Sequence, residues 1–186
     1  MKAILALILL MTFASVAKAD QVQDAIGLSE AQVAHVLKTF NDTEIDIAQL
    51  AKRKANNTHV KGFADLMEKA HKVNNDDFKA AIKLAQIKPE NNGVSKTLKM
   101  DSKNKIKQLK DSKNSTQFDK IFIENQVLMY KQLQDNLDQK YIPNMQDARF
   151  KAYLEKTREH VKKLLRPSRR IAKQTSSIGF RQNFIY

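Results

Sequence analysis

The sequence predicts an all-α protein, an antiparallel four-helix bundle with a short helix inserted between the second and third long helices. Three observations carry that expectation. The chain has only four Gly and three Pro in 186 residues, too few turn-formers for a strand-and-turn architecture. Apolar residues recur at steps of three and four through four long segments, the pattern of helices that bury one stripe. The links between those segments are short, and short links make consecutive helices antiparallel neighbours.

Ser29 with Gln32 three positions on is a capping-box pattern. Val33, Leu37, Phe40, Ile47, Leu50 and Ala51 continue at helical spacing, so a first long helix is predicted from Ser29 to Ala55. Asn56-Asn57-Thr58 breaks it, with Thr58 the predicted N-cap of a second helix whose stripe is Val60, Phe63, Ala64, Met67, Asn74, Phe78, Ile82 and Ala85. Pro89 to Gly93 ends that helix. A lysine-rich helix from Ser95 to Lys110 follows, whose few apolar residues, Leu98, Met100, Ile106 and Leu109, can cover the bundle only loosely. After a loop at 111–116, Phe118 opens a third long helix with Ile121, Phe122, Leu128, Met129, Leu133 and Leu137 inward. Residues 141–144 turn the chain. A fourth long helix from Met145 to Leu165 buries Phe150, Leu154, Val161 and Leu164, and Pro167, which cannot donate the helical hydrogen bond, stops it.

Met1 to Ala19 has the pattern of a secretory signal peptide. Lys2 precedes an apolar run from Ala3 to Phe13, and Ala17-Lys18-Ala19 supplies the small-x-small cleavage pattern. The run is well short of the roughly 20 residues that span a bilayer, and no cysteine follows it to carry a lipid anchor. The expected organisation is therefore a cleaved leader (1–19), a short lead (20–28), one helical-bundle domain (29–174) and a flexible polar tail (175–186). The expected location is the periplasm of a Gram-negative bacterium, with no transmembrane segment in the mature chain. Without cysteine there are no disulfides, thiol nucleophiles or thiolate metal sites, so an ordinary apolar core must hold the fold.

Lys and Arg number 33 against 20 acids, a net charge of +13. In the cytosol that excess points first to nucleic acid. Export removes that partner and leaves anionic lipid, lipopolysaccharide phosphates and acidic envelope proteins. From Arg149 to Lys173 ten basic residues face only Glu155 and Glu159. Arg166, Arg169, Arg170 and Lys173 are the candidate contacts to an anionic surface, with Phe180, Phe184 and Tyr186 beyond them. The competing reading is a solvated helix face followed by a frayed terminus.

Polar groups that fall on the predicted inner rows form the other candidate site. Glu44 lies on the row Leu37, Phe40, Glu44, Ile47 and Ala51, and His71 and Asn74 lie on the row Met67 to Phe78. Glu68-x-x-His71 puts a carboxylate and an imidazole at neighbouring positions of one helix. That is half of the arrangement by which ferritin-like bundles hold metal. On the fourth helix Tyr153, Thr157, His160 and Leu164 form a row, and Thr157 stands where a second Glu-x-x-His would need its carboxylate. This argues against a di-iron centre. One divalent ion (Fe, Mn or Zn) on Glu44, Glu68, His71 and His160 is the metal alternative, with Glu124 a flanking carboxylate. The first expectation is no cofactor, with these groups hydrogen-bonding one another and fixing register. No serine nucleophile motif, phosphate-cradling glycine loop or zinc-protease helix is present, so the chain carries no positive sign of an enzyme.

Laid out in this way, the chain resembles the exported bacterial family called domain of unknown function 4142, placed among the ferritin-like folds. The resemblance covers Phe40 to Leu165. It rests on EIDIAQLA (Glu44 to Ala51), VKGFADLMEKAHKVN (Val60 to Asn74), Phe118-Asp119 and Arg158-Glu159-His160. It implies a ferritin-like bundle and an exported location, and no established activity. The family's usual acid-His pair is Ala70-His71 here, and Tyr130 stands where a His is common, so two potential ligands are missing. The leading expectation is a non-enzymatic binding or envelope-stress protein with a basic surface. The alternative is a ferritin-like metal-binding or oxidoreductase protein using the inward Glu and His.

Overall fold

All regular structure among the described residues, 27–182 of a computed structural model with side chains to 175, is helical. The expected leader, most of the lead that follows it, and the side chains of Phe180, Phe184 and Tyr186 lie outside the described residues. Helix α1 spans Glu30–Lys54 and opens with the predicted capping box. Ser29 Oγ accepts the Gln32 N–H at 3.2 Å, and Gln32 Oε1 accepts the Ser29 N–H at 3.1 Å. Helix α2 spans Thr58–Ala85, and its N-cap is Asn57 instead of Thr58, with Asn57 Oδ1 accepting the N–H groups of His59 and Val60. The Asp119 carboxylate holds the Asn56 and Asn57 amides and so keeps Asn57 in the extended conformation a cap requires. At its other end α2 stops on Gln86, a left-handed residue at φ 58, whose N–H reaches the carbonyls of Ile82 and Lys83.

Helix α3 (Gly93–Lys110) starts two residues earlier than expected because Asn92 and Ser95 form a reciprocal cap. It buries only Ser95, Ser102 and Leu109, and Met100 is exposed. Helix α4 (Ser115–Asn136) is capped by Asn114 and runs into a π-helical turn (Leu137–Tyr141) and a single helical turn (Ile142–Asn144). Its inward row is Phe118, Phe122, Ile123, Gln126, Met129, Tyr130 and Leu133, while Leu128 points outward.

Helix α5 (Ala148–Gln182) overturns the expected stop at Pro167, which lies inside it. An internal proline costs about 3 kcal/mol in lost hydrogen bonding and crowding. Burial on both sides of it offsets that cost, since Leu164, Leu165, Ser168 and Ile171 all face the core. Ser168 Oγ donates to the Leu165 carbonyl at 2.9 Å just past the break. The helix includes residues 175–182 of the segment expected as a tail.

The closest pairs are α1 with α2 and α4 with α5, joined through α2 and α5, with α3 lying on α1. Side chains tie distant segments together at both ends. Glu30 Oε1 accepts the N–H groups of Gln146 and Asp147, each at 2.7 Å, where α5 begins. Asn92 Nδ2 donates to the Gln32 carbonyl at 3.0 Å, fixing the start of α3 on α1. No helix among the described residues is long and apolar enough to cross a membrane.

Candidate functional sites: a buried polar cluster and a basic helix face

Asn41, His71, Asn74, Tyr130 and Thr157 meet in one network supplied by α1, α2, α4 and α5. His71 Nδ1 lies 3.0 Å from Asn41 Oδ1, and its Nε2 lies 3.0 Å from the Tyr130 hydroxyl. Asn74 Nδ2 donates to Asn41 Oδ1 at 3.1 Å, and Thr157 Oγ donates to Asn74 Oδ1 at 3.2 Å. A carbonyl oxygen can only accept, so the His71 proton belongs on Nδ1, and Nε2 accepts from Tyr130. Burial pushes the His71 pKa down to about 3, helped by His160 nearby, and the ring is neutral. Burial and the neighbouring Glu44 hold the Tyr130 hydroxyl well above its ordinary value. Phe40 stands edge-on to both rings.

Beside this network lies a cavity of about 10 Å³ lined by Asn41, His71, Asn74, Thr157 and His160 among apolar neighbours. That is room for one water-sized sphere. His160 is half-buried there, its Nδ1 has no hydrogen-bond partner among the described residues, and burial lowers its pKa.

Glu44 is fully buried, as its row predicts. Neither carboxyl oxygen has a hydrogen-bond partner among the described residues. Burial pushes its pKa up to about 8, with Lys105 and Gln126 pulling the other way, so the group is mostly protonated at neutral pH. Lys105 reaches in from α3 until its Nζ is 2.6 Å from Met129 Sδ. Glu68 goes elsewhere. It turns toward α1, where Lys52 (2.7 Å) and Gln49 (3.2 Å) hold it together with Lys72 (2.6 Å) of its own helix, and these partners bring its pKa down to about 2. Glu124 is exposed.

His71 and His160 therefore share a cavity, Glu44 lies three residues further along α1 from Asn41, and Glu68, itself buried, is held by lysines at the edge of the α1 and α2 pair. Both His71 nitrogens and both Glu68 oxygens are already engaged. Among the described residues no three His, Asp or Glu side chains are grouped so as to hold a metal ion. The four residues as placed do not fit one metal.

Asn41, Gln126 and Tyr130 are among the inward polar residues that the spacing rows of the sequence do not include. Asn41 is four after Leu37, so the same spacing rule reaches it. Tyr130 and Gln126 share a row that begins at Phe118 and Phe122, and the apolar Ile121 and Leu128 masked its phase.

The basic face is on α5. Lys163, Arg166, Arg170 and Lys173 are exposed and step by three and four along one line, with Arg169 exposed beside it. The opposite line is the buried row Val161, Leu164, Leu165, Ser168 and Ile171. Before this stretch several cations are paired in place: Arg149 on Asp147 (2.6 Å), Lys156 on Asp77 (2.7 Å) and Lys162 on Glu159 (2.8 Å). After Glu159 the chain has no acidic residue. Arg166, Arg169 and Arg170 form no ion pair among the described residues.

A family model described as a domain of unknown function (DUF4142) matches residues 14–171. No curated protein and no solved structure matches the chain.

Proposed function

The chain belongs to the family described as a domain of unknown function (DUF4142), and from that premise we propose that it is an exported, ferritin-like four-helix bundle that binds anionic envelope material through α5. The single observation that carries this is the exposed cationic face from Lys163 to Lys173, in which Arg166, Arg169 and Arg170 form no ion pair among the described residues. Cations held near an anionic surface contribute about 1 kcal/mol each. Five on one rigid helix face suffice for reversible adsorption without any shaped pocket. Screening over about 8 Å at physiological salt makes such binding fall steeply as salt rises. The signal-peptide pattern of residues 1–19 supports export, and the close pairing of long helices supports the four-helix arrangement. The core cluster supports a non-enzymatic role, since its hydrogen bonds run from helix to helix and hold register.

Co-sedimentation with phosphatidylglycerol vesicles and with lipopolysaccharide, at low and high salt, tests the reading. Charge reversal at Arg166, Arg169, Arg170 and Lys173 to Glu should abolish the low-salt binding, and exposure of all four sites leaves the fold intact. Equal binding by the reversed protein would sink the proposal.

A further inference from the structure

The geometry points to a lipid surface as the partner of the α5 cations, with α2 supplying an apolar half of the same contact; this rests on the reading of α5 given above. Besides its buried row, α2 carries a second row: Leu66, Ala70, Val73, Asp77, Ala80 and Leu84. The steps are four, three, four, three and four, which is one continuous stripe. Each member up to Ala80 precedes a residue of the buried row by one position, and Leu84 precedes the partly buried Ala85, so the stripe lies about 100° around the helix from the core. Its three large members are exposed, Leu66 at 47%, Val73 at 54% and Leu84 at 62%. The stripe runs about 27 Å from Leu66 to Leu84.

Two contacts fix which flank of α2 this is. The far flank is taken by α1, through Glu68 on Lys52 and Asn75 on Asp42. The stripe itself borders α5: Asp77 pairs with Lys156 across the two helices at 2.7 Å, and Ala70 lines the cavity beside His160. On α5, Lys156, Lys163 and Arg170 follow one another at steps of seven, and Arg166, Arg169 and Lys173 lie just beyond. The pairs Lys156 with Asp77, Thr157 with Asn74 and Tyr153 with Phe78 run α2 and α5 antiparallel, so Lys163 and Arg166 stand level with Leu66 and the free cations continue the apolar line end to end along the outer face of the pair. The only acid in the apolar line, Asp77, is already neutralised.

Charge complementarity selects the occupant. A soluble polyanion gains from the cations and nothing from Leu66, Val73 and Leu84. A second copy of the chain, docked by the same face, sets cationic stripe near cationic stripe. A bilayer with anionic headgroups satisfies both lines at once, cations at the phosphates and short apolar side chains at the acyl boundary.

The chain has no tryptophan, so Leu84→Trp places a single fluorescent reporter on an exposed position of the stripe. Its emission should shift to the blue on phosphatidylglycerol vesicles, be quenched by brominated lipid, and stay unchanged with inorganic polyphosphate. A Leu66→Ser, Val73→Ser, Leu84→Ser protein, altered only at exposed sites, should lose vesicle affinity on the order of tenfold or more at physiological salt and keep its polyphosphate binding. Charge-dependent vesicle binding with an unshifted reporter and an unaffected triple variant would overturn the inference and leave the α5 reading standing. A reporter shift without lipid that grows with protein concentration would assign the stripe to a second copy and equally overturn it. Failure of the unaltered protein to bind vesicles or polyphosphate would remove both readings.

Discussion

His71 Nε2 accepts the Tyr130 hydroxyl proton at 3.0 Å inside the bundle, with the two rings 11° from parallel and neither in contact with solvent to any useful degree. Together with the Asn41 contact at Nδ1, this engages the whole imidazole edge and locks α1, α2 and α4 into one rotational setting.

Tyr130→Phe removes one hydroxyl and leaves His71 Nε2 buried without a donor. The expected cost is about 1 to 3 kcal/mol, read as a lower urea midpoint with an unchanged slope. A variant as stable as the parent would show that the bond does not hold the helices in register.

Two buried groups titrate in opposite senses. His71 falls from 6.5 to about 3 on folding, so its contribution is complete above 6.5 and is lost as pH drops from 6.5 toward 3. Glu44 rises from 4.5 to about 8, so its contribution is complete below 4.5 and is lost as pH rises from 4.5 toward 8. The two slopes oppose each other between about 4.5 and 6.5 and should give a plateau of stability there, with a fall on either side. Glu44→Gln should abolish the alkaline fall between about 6.5 and 8 and keep the acid one, as measured by chemical denaturation across pH.

Gln86 ends α2 at φ 58, a conformation that disfavours any residue with a Cβ. Gln86→Gly should stabilise the protein by about 0.5 to 1 kcal/mol, net of the extra freedom glycine gives the unfolded chain. Thermal unfolding would show a rise in midpoint of a few degrees. A fall would mean that the Gln86 side chain contributes more than its backbone costs.

Export with cleavage after Ala19 predicts a mature protein beginning at Asp20. Amino-terminal sequencing of the protein recovered from the periplasmic fraction checks this directly. Recovery of intact Met1 from the cytosol would overturn the proposed location and reopen nucleic acid as the partner of the α5 cations.

The four long helices and the burial of Glu44, His71, Asn74 and Thr157 were legible from spacing alone, because steps of three and four assign each residue a place around its helix. The capping box at Ser29 was legible from chemistry, since only a reciprocal pair of side chains satisfies both amides. Glu68 was not. Three residues from His71 is about 60° around the helix, and only the arrival of Lys52 from α1 decides that this position faces an ion cluster and not the core. Pro167 misled for a related reason. Its local penalty is readable in the chain, whereas the burial of Ser168 and Ile171 that outweighs it belongs to the packed molecule. On α4 apolar residues occur on both faces, so Ile121 and Leu128 conceal which face holds Tyr130.

The carboxylate of Asp119 on the Asn56 and Asn57 amides bears on the order in which the chain acquires its structure. Helices α1 and α2 form an antiparallel pair from adjacent sequence, yet the turn between them is finished by a side chain more than sixty residues later. The start of α5 is likewise finished by Glu30, across more than a hundred residues. Each half of the chain thus supplies a carboxylate that finishes a helix start in the other. Loss of one helix pair removes the caps of the other, a coupling that favours cooperative unfolding.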